Sequence, residues 1–457
     1  MKFCSRPFEF IHLDPNGGCR LCAWTDINIG NLVDESLEDV WNSENANKLR
    51  EAIKHGNYEY CRKTSCPFLE NDDLPDVDEE LAAAYNASQL PTQYSVACDF
   101  TCNHKCPSCR TDFFVPDEEY KRKLNIIIDK ILPFLNAKET ESILTDGNGD
   151  CFSSPFLMSM LEKLKPENKD CRIVFETNGV LLDENHWERI KHLSDYYLGV
   201  TITPNSFEKT TFEYLNGGVH SYEKMMNSLV FVKNLREQDL INWVRISIVI
   251  QERNFHEFPA FAKRCLDEFG ADEVVAKPLY RWFMLSQEDY WFKDVLNPLH
   301  PYHKEFLAML DDPIMDDPRI FKWGARNLHE AKRHPACIYK EYIEIIDKLL
   351  NDELMVESVL QRLKAEGASS VYLYGDCELS TVFAKVFKEA GSPVKGIIAR
   401  DICNKSRGGI SIQRLCDYKP NIKDAFIVMN YDFIREITRD LHFMGFSGKI
   451  YSARELV

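Results

Sequence analysis

The sequence predicts an α/β protein whose centre is a partial TIM-type barrel of six strand–helix units, a (βα)6 arrangement. Three observations carry that expectation. β-prone runs alternate six times with helical patterns between residues 90 and 285, and a second, shorter α/β alternation begins after residue 350. The third is the spread of the sixteen cysteines, nine of which fall within the first 109 residues. At about 100–200 residues per domain, a chain of 457 residues fits two to four domains. Hydrophobic residues at 44% and charged ones at 28% support a sizeable core and argue against global disorder.

In chain order, residues 1–75 form a small cysteine-rich domain. Its one helical stretch spans Leu37–Lys54, with Trp41, Ala46 and Leu49 on one face at helical spacing. The acidic, proline-containing run Glu70–Glu80 reads as a solvated linker. Residues 90–285 carry the barrel pattern. Strands are expected at Gln93–Ala97, Ser142–Thr145, Arg172–Glu176, Tyr197–Thr203, Trp243–Ile250 and Glu273–Pro278. Helices are expected between them at Glu118–Leu135, Pro155–Leu164, Asp183–Leu193, Ser221–Arg236 and Phe255–Phe269. This alternation argues for parallel strands joined by right-handed crossovers, and six units are too few for a closed eight-fold barrel. Residues 286–350 form an irregular helical connector broken by Pro298, Pro301, Pro313 and Pro318. Residues 351–457 read as a Rossmann-like α/β domain. Its strands are Val371–Tyr374, Val394–Ala399, Ala425–Met429 and Lys449–Ser452, and its helices Leu379–Ala390 and Phe433–Met444.

Charge and composition remove several classes of function. With 55 basic against 72 acidic residues the formal charge is −17, the wrong sign for a protein that tracks a nucleic-acid backbone. No run approaches the roughly 18–20 apolar residues of a membrane span. Met1–Phe10 lacks the pattern of a secretory signal, so a cytoplasmic protein without nucleic-acid or membrane partners is expected. In a reducing compartment, clustered thiols read as metal or iron–sulfur ligands rather than disulfides.

The run Cys102-Asn-His-Lys-Cys106-Pro-Ser-Cys109 follows the first barrel strand. Three thiolates on one tight loop can each hold one iron of a [4Fe–4S] cluster, leaving the fourth iron open to a small molecule. The CxxxCxxC spacing, with Asn103 and Pro107 inside it, resembles the radical S-adenosylmethionine (radical SAM) superfamily. That resemblance implies a cluster held by Cys102, Cys106 and Cys109, and a bound S-adenosylmethionine that is reductively cleaved to a 5′-deoxyadenosyl radical. The radical would abstract a substrate hydrogen atom. Cys98, just before the loop, is by the same analogy not a ligand.

Downstream segments fit the same resemblance. Thr145-Asp146-Gly147-Asn148-Gly149-Asp150 looks like the glycine-rich motif that holds the methionine amine, with Asp150 in place of the commoner Glu; a plain strand–helix turn is the alternative. Glu176-Thr177-Asn178-Gly179 resembles the family's TNG turn, which puts Asn178 beside the cofactor. Thr203 ends the fourth strand where relatives usually carry an acid. Arg245 and Ser247 point to one face of the fifth strand, where either reaches the cofactor or simply lines the barrel. Cys151 is either a hydrogen-atom donor near the substrate or a small buried thiol.

Cys4, Cys19-x-x-Cys22 and Cys61-x4-Cys66 suit one further four-ligand cluster with one thiol left over, and also suit tetrahedral zinc. The text around them, Ile29–Leu32, Leu37–Ser43 and Cys66-Pro67, resembles a SPASM or twitch auxiliary-cluster domain, although such domains more often follow the barrel. The motif alignment implies Cys4, Cys22, Cys61 and Cys66 as ligands and Cys19 as the spare. In the tail, Gly375-Asp376-Cys377-Glu378 with Asp401 sits where a dinucleotide fingerprint would, with two of its three glycines missing.

Taken together, the resemblance implies a radical SAM oxidoreductase with two [4Fe–4S] clusters and S-adenosyl-L-methionine as cofactors. An external one-electron donor such as flavodoxin or ferredoxin would feed it. Its substrate would be a peptide or a sugar- or nucleotide-linked metabolite, with epimerisation, dehydrogenation and cross-linking all open. The competing class is a non-enzymatic iron–sulfur protein for electron transfer or redox sensing.

Overall fold

The computed structural model describes residues 1–457 except 26, 63–65, 71–72, 146, 281–284, 298, 323–342, 344, 393, 400–405, 408, 430–436, 439–440, 443–444 and 457. Pro298, Asp401 and most of the expected helix Phe433–Met444 lie outside the described residues. The chain divides into two compact units, Met1–Lys332 and Arg333–Val457.

The first unit is built on one ten-stranded sheet. Its strands are β1 (Phe10–Leu13), β2 (Gly18–Arg20), β3 (Gly30–Asn31), β4 (Gln93–Val96), β5 (Ser142–Thr145), β6 (Arg172–Thr177), β7 (Tyr197–Ile202), β8 (Trp243–Ile250), β9 (Glu273–Pro278) and β10 (Ile320–Lys322). The order is β10-β9-β8-β7-β6-β5-β4-β1-β2-β3, so β4 to β9 are neighbours in chain order, and they pair in parallel throughout. These six are the expected barrel strands, shifted at most by one residue at an end. Their outward residues, such as Ile143, Ile173, Phe175, Leu198, Val200, Ile246 and Val274, are buried beneath the crossover helices.

The crossover helix Glu118–Leu135 shows why the sequence folds locally as it does. Asp117 accepts from the Tyr120 amide as N-cap, and Glu118 and Glu119 occupy the first turn, where the helix dipole favours acids. Leu124, Ile127, Ile128, Ile131 and Leu135 then recur at helical spacing and are all buried. Each contributes about 1.5–3 kcal/mol by leaving water.

The inner face of the sheet is polar. Lys277 on β9 reaches Glu176 on β6 at 3.2 Å across the two strands between them. In a flat sheet those strands would stand about 14 Å apart, three spacings of ~4.8 Å. The pair therefore reports a sheet that curls toward this face, as a partial barrel requires.

Three features depart from expectation. The stretch Leu37–Lys54 is two helices, Leu37–Trp41 and Glu44–Lys54. The chain breaks at Asn42-Ser43 because Ser43 turns to cap the second helix through the Ala46 amide. Trp41, Ala46 and Leu49 are nonetheless buried together, as the spacing predicts. The run Glu70–Glu80 is not a free linker. The Phe3 amide donates to the Pro75 carbonyl, Val77 donates to Met1, and Leu74 is buried. Finally, the cysteine-rich segment joins the barrel sheet, because β1 pairs in parallel with β4 from Phe10↔Gln93 to Leu13↔Val96.

The second unit has a six-stranded sheet. Its strands are β11 (Ser370–Tyr374), β12 (Gly396–Ala399), β13 (Ser406–Arg407), β14 (Ile410–Arg414), β15 (Asp424–Val428) and β16 (Lys449–Ser452). The order is β13-β14-β12-β11-β15-β16, parallel except for the short β13 edge. Helices Glu353–Ala365 and Glu378–Glu389 contribute Val359, Leu363, Phe383 and Phe387 to its separate core.

Candidate functional site

The C-terminal ends of β4 to β7 open into one cleft. Cys102, Cys106 and Cys109 line it with Gly147, Gly149, Asp150, Glu176, Thr177, Asn178 and Thr203. Its volume of about 190 Å3 is several times the ~30 Å3 of a water molecule, so it is a ligand-sized opening and not a packing void.

The loop that carries the three thiols is tightly wound. Cys109 and Arg110 both donate backbone hydrogen bonds to the Cys106 carbonyl, at 2.8 and 2.9 Å. Cys109 is exposed, whereas burial pushes the Cys102 thiol up to about 11 and Cys106 up to about 12. Neighbouring thiols add to both shifts, a mark of how closely the three stand together. A positive group or metal is what would bring such thiols to the thiolate form. Arg110 supplies part of that charge: its guanidinium donates to the Phe100 and Asn148 carbonyls and stands 3.6 Å from Cys109 Sγ. The Cys102 sulfur also accepts from the His104 amide and from Asn178 Nδ2, at 3.4 and 3.8 Å.

The glycine-rich turn after β5 presses against this loop. A Cβ on Gly149 would stand 2.4 Å from the Thr101 carbonyl oxygen and 2.6 Å from that of Asp99, so only glycine fits. Gly147 has φ +95°, and Asn148 donates its side chain to the Ala97 carbonyl at 2.9 Å. Asp146 of the same motif lies outside the described residues.

Asp150 is 2% exposed. Its carboxylate accepts from Thr177 Oγ1 and the Asn178 amide, both at 2.8 Å, and from the Phe152 amide at 3.1 Å. Burial pushes it above the usual carboxylate range, against those hydrogen bonds. It thereby fastens the Asn178 turn to the glycine-rich turn. Asn178 in turn donates to Asn103 Oδ1 inside the cysteine loop, at 2.8 Å.

Three expected site residues do not line the cleft, and the first is Asn148, whose side chain is turned onto the Ala97 carbonyl. Cys151 is 3% exposed, packs in the core and donates toward the Glu176 carbonyl at 3.8 Å. It is not among the residues that line the cleft. Ser247 is fully buried on β8 and does not line it either. Sequence reading missed Arg110, whose one visible signal was a lone arginine directly after the last cysteine. It also missed Phe212, Leu215 and Asn216, which reach the cleft from a segment with no motif.

The N-terminal thiols gather separately. The loop after Cys22 pairs with Cys61 through an antiparallel bridge at Thr25, and the Arg62 amide donates to the Trp24 carbonyl at 2.9 Å. The Cys66 amide donates to the Arg62 carbonyl at 2.8 Å. Burial, with Cys22 and Cys66 nearby, pushes Cys4 up to about 12. Cys19 differs. It is fully buried, donates toward the Gly17 carbonyl, and has Asp14, Glu35 and Cys98 among the groups that raise its thiol, after burial itself. Among the described residues no three metal-ligating side chains converge on a single point. The ligands of an iron–sulfur cluster are each bound to a different iron.

Comparisons with known proteins agree with this division. Residues 100–265 match the family model of the radical SAM superfamily, and residues 4–67 match that of an iron–sulfur cluster-binding domain, SPASM. No curated protein matches the chain in sequence. Among solved structures, Streptococcus suis SuiB bound to S-adenosylmethionine is 13% identical, covering 63% of this chain and 64% of its own, at a TM-score of 0.34. SuiB bound to its precursor peptide SuiA is 14% identical, covering 70% and 72%, at 0.35. Methylornithine synthase (PylB) is 11% identical, covering 54% and 80%, at 0.30. In a further crystal structure of Streptococcus suis SuiB, the chain covers only 57% of that protein's length. The chain thus carries a central radical SAM domain and, before it, a SPASM iron–sulfur cluster-binding domain, with two [4Fe–4S] clusters and S-adenosylmethionine as cofactors.

Proposed function

We propose that this protein reductively cleaves S-adenosylmethionine and uses the 5′-deoxyadenosyl radical to take a hydrogen atom from a peptide or from a sugar- or nucleotide-linked metabolite. The observation that carries this reading is one cleft walled by three thiols of a single loop and by the ends of β5, β6 and β7. Cys102, Cys106 and Cys109 would hold the catalytic cluster. When bound there, cluster and S-adenosylmethionine supply a one-electron cleavage that yields methionine and the radical.

The chain's own residues prepare that site. Arg110 offsets thiolate charge, and Asn178 donates toward the Cys102 sulfur, a contact that tunes cluster potential. Gly147 and Gly149 let the turn press closely on the cysteine loop, Asn148 ties it to the Ala97 carbonyl, and Asp150 locks it to Asn178. Thr203, held by its amide to the Thr177 carbonyl, faces the same cleft for ribose. The burial of Cys151 favours a packing role over hydrogen donation.

Cys4, Cys22, Cys61 and Cys66 would hold the auxiliary cluster, with Cys19 the spare. The domain limits proposed are 1–75, 90–285, 286–350 and 351–457. The last is read as Rossmann-like, since β11 lies between parallel β12 and β15, the kind of switch point where such sheets bind ligands. A flavodoxin- or ferredoxin-type donor and a cytoplasmic setting complete the proposal, because thiol-held clusters need reducing conditions.

Anaerobic reconstitution tests it. About eight irons per chain are expected for two four-iron clusters, together with 5′-deoxyadenosine from S-adenosylmethionine and dithionite. If the native chain forms no more deoxyadenosine than a Cys102→Ala variant, the proposal fails.

A further inference from the structure

A line of four polar side chains runs from the SPASM domain into the barrel. Arg20, on β2 and two residues before Cys22, forms a fork on Asp14, with Nε 2.5 Å from Oδ2 and Nη2 2.6 Å from Oδ1. Its remaining guanidinium nitrogen, Nη1, donates to the Ala23 carbonyl at 2.9 Å and the Thr25 carbonyl at 3.2 Å. Those carbonyls belong to the backbone immediately after Cys22, and Thr25 also donates its hydroxyl to the Cys22 carbonyl at 2.8 Å. Asp14 Oδ1 stands 3.3 Å from His12 Nε2, and His12 Nδ1 lies 2.6 Å from Ser95 Oγ. Ser95 is on β4, the strand that leads into the Cys102 loop.

Two of the links are buried, and Arg20 and Asp14 are partly so. His12 is 4% exposed and Ser95 fully buried. Burial acts to raise the Asp14 carboxyl, but the bonds from His12 and Arg20 outweigh it and hold the group down to about 2. The same residue types form hydrolytic triads, yet no substrate could reach the buried Ser95 hydroxyl. The line is therefore a brace. A fork–fork arginine bond fixes both distance and plane, which a lysine cannot do. From the other side, Trp24 of the same loop packs on Tyr280 beyond β9, ring centres 5.6 Å apart.

We propose that Arg20 is a positioning residue for the loop that carries Cys22, and that Arg20–Asp14–His12–Ser95 sets where the auxiliary cluster stands relative to the catalytic cysteine loop. This rests on the reading of Cys22 as a ligand. Partners around a ligand loop are what orient it and tune its metal.

The test uses the full chain carrying Cys102→Ala, Cys106→Ala and Cys109→Ala, so that only the auxiliary cluster reports. Iron content and the electron paramagnetic resonance spectrum of the dithionite-reduced protein are measured. Arg20→Ala is expected to lose at least half of the remaining iron. Arg20→Lys and Ser95→Ala are expected to keep the iron and give displaced spectra. If all three retain the parent's iron and spectrum while Cys22→Ala loses them, the positioning role is wrong and the ligand reading stands. If Cys22→Ala itself retains the cluster, the ligand reading falls and this proposal with it.

Discussion

At the scale of single residues, Gly149 is the most constrained position in the cleft. Its missing side chain is occupied by two carbonyl oxygens of the cysteine loop. Gly149→Ala must push that loop aside, at a strain of about 1–3 kcal/mol. Because the displaced backbone carries Cys102, deoxyadenosine formation should fall by about tenfold or more, the equivalent of ~1.4 kcal/mol on the barrier. Equal rates for variant and native chain in an anaerobic assay would contradict this. The residue scale is also where the sequence was most readable. Three thiols at fixed short spacing, a glycine turn and Asn178 are local signals, and a local signal survives without the fold. Asp150 was legible as a site residue but not in its attachment, since a bond to Asn178 spans 28 residues and depends on how β5 and β6 pair. Arg110 had no pattern of its own to reveal it.

Among the elements, the helix Gln287–Lys293 ends on Asp294, whose amide closes the helix on the Tyr290 carbonyl. Burial pushes this carboxyl up to about 6, and the negative end of the helix dipole works in the same direction. A raised acid binds its proton more tightly folded than unfolded. Its contribution to stability is then full below about pH 4 and disappears as pH rises through 6. Asp294→Asn keeps the oxygen that accepts from the Leu296 amide and never ionises. It should raise stability by roughly 1–3 kcal/mol at pH 8 and by little near pH 4. Anaerobic urea unfolding at both pH values measures the difference, and an equal effect at both would refute the cause.

The long, strongly patterned elements were the ones legible beforehand. Glu118–Leu135 and the strands β8 and β9 fall where their apolar periodicity puts them. Very short strands carry too few residues for a period to show. The two-residue β3 and the three-residue β10 gave no readable pattern, and the break at Ser43 was hidden within one continuous apolar face.

For the whole molecule, the two units bury separate cores, one drawn from residues up to Ile320 and the other from Ile345 onward. A protein limited to residues 1–332 should therefore fold and take up about eight irons. It should also form deoxyadenosine at a rate close to that of the full chain. Failure to hold iron would mean that residues 333–457 support the first unit in a way its core does not reveal. What no local pattern could announce is that the cysteine-rich segment shares the barrel's sheet, since the pairing of β1 with β4 joins residues 83 positions apart.

That pairing has a consequence for biogenesis. At about 5–20 residues per second, a ribosome takes roughly 4–17 s to travel from β1 to β4. Throughout that interval the strand that should cover Phe10–Leu13 does not exist. Cys4, Cys19 and Cys22 are thus born before their shelter, and the cysteine-rich segment cannot finish folding before the barrel's opening strand is made. Cluster insertion into the amino-terminal site then has to follow synthesis of the barrel's opening strand, which makes the nascent chain, rather than the finished protein, the form most vulnerable to oxidants and stray metals.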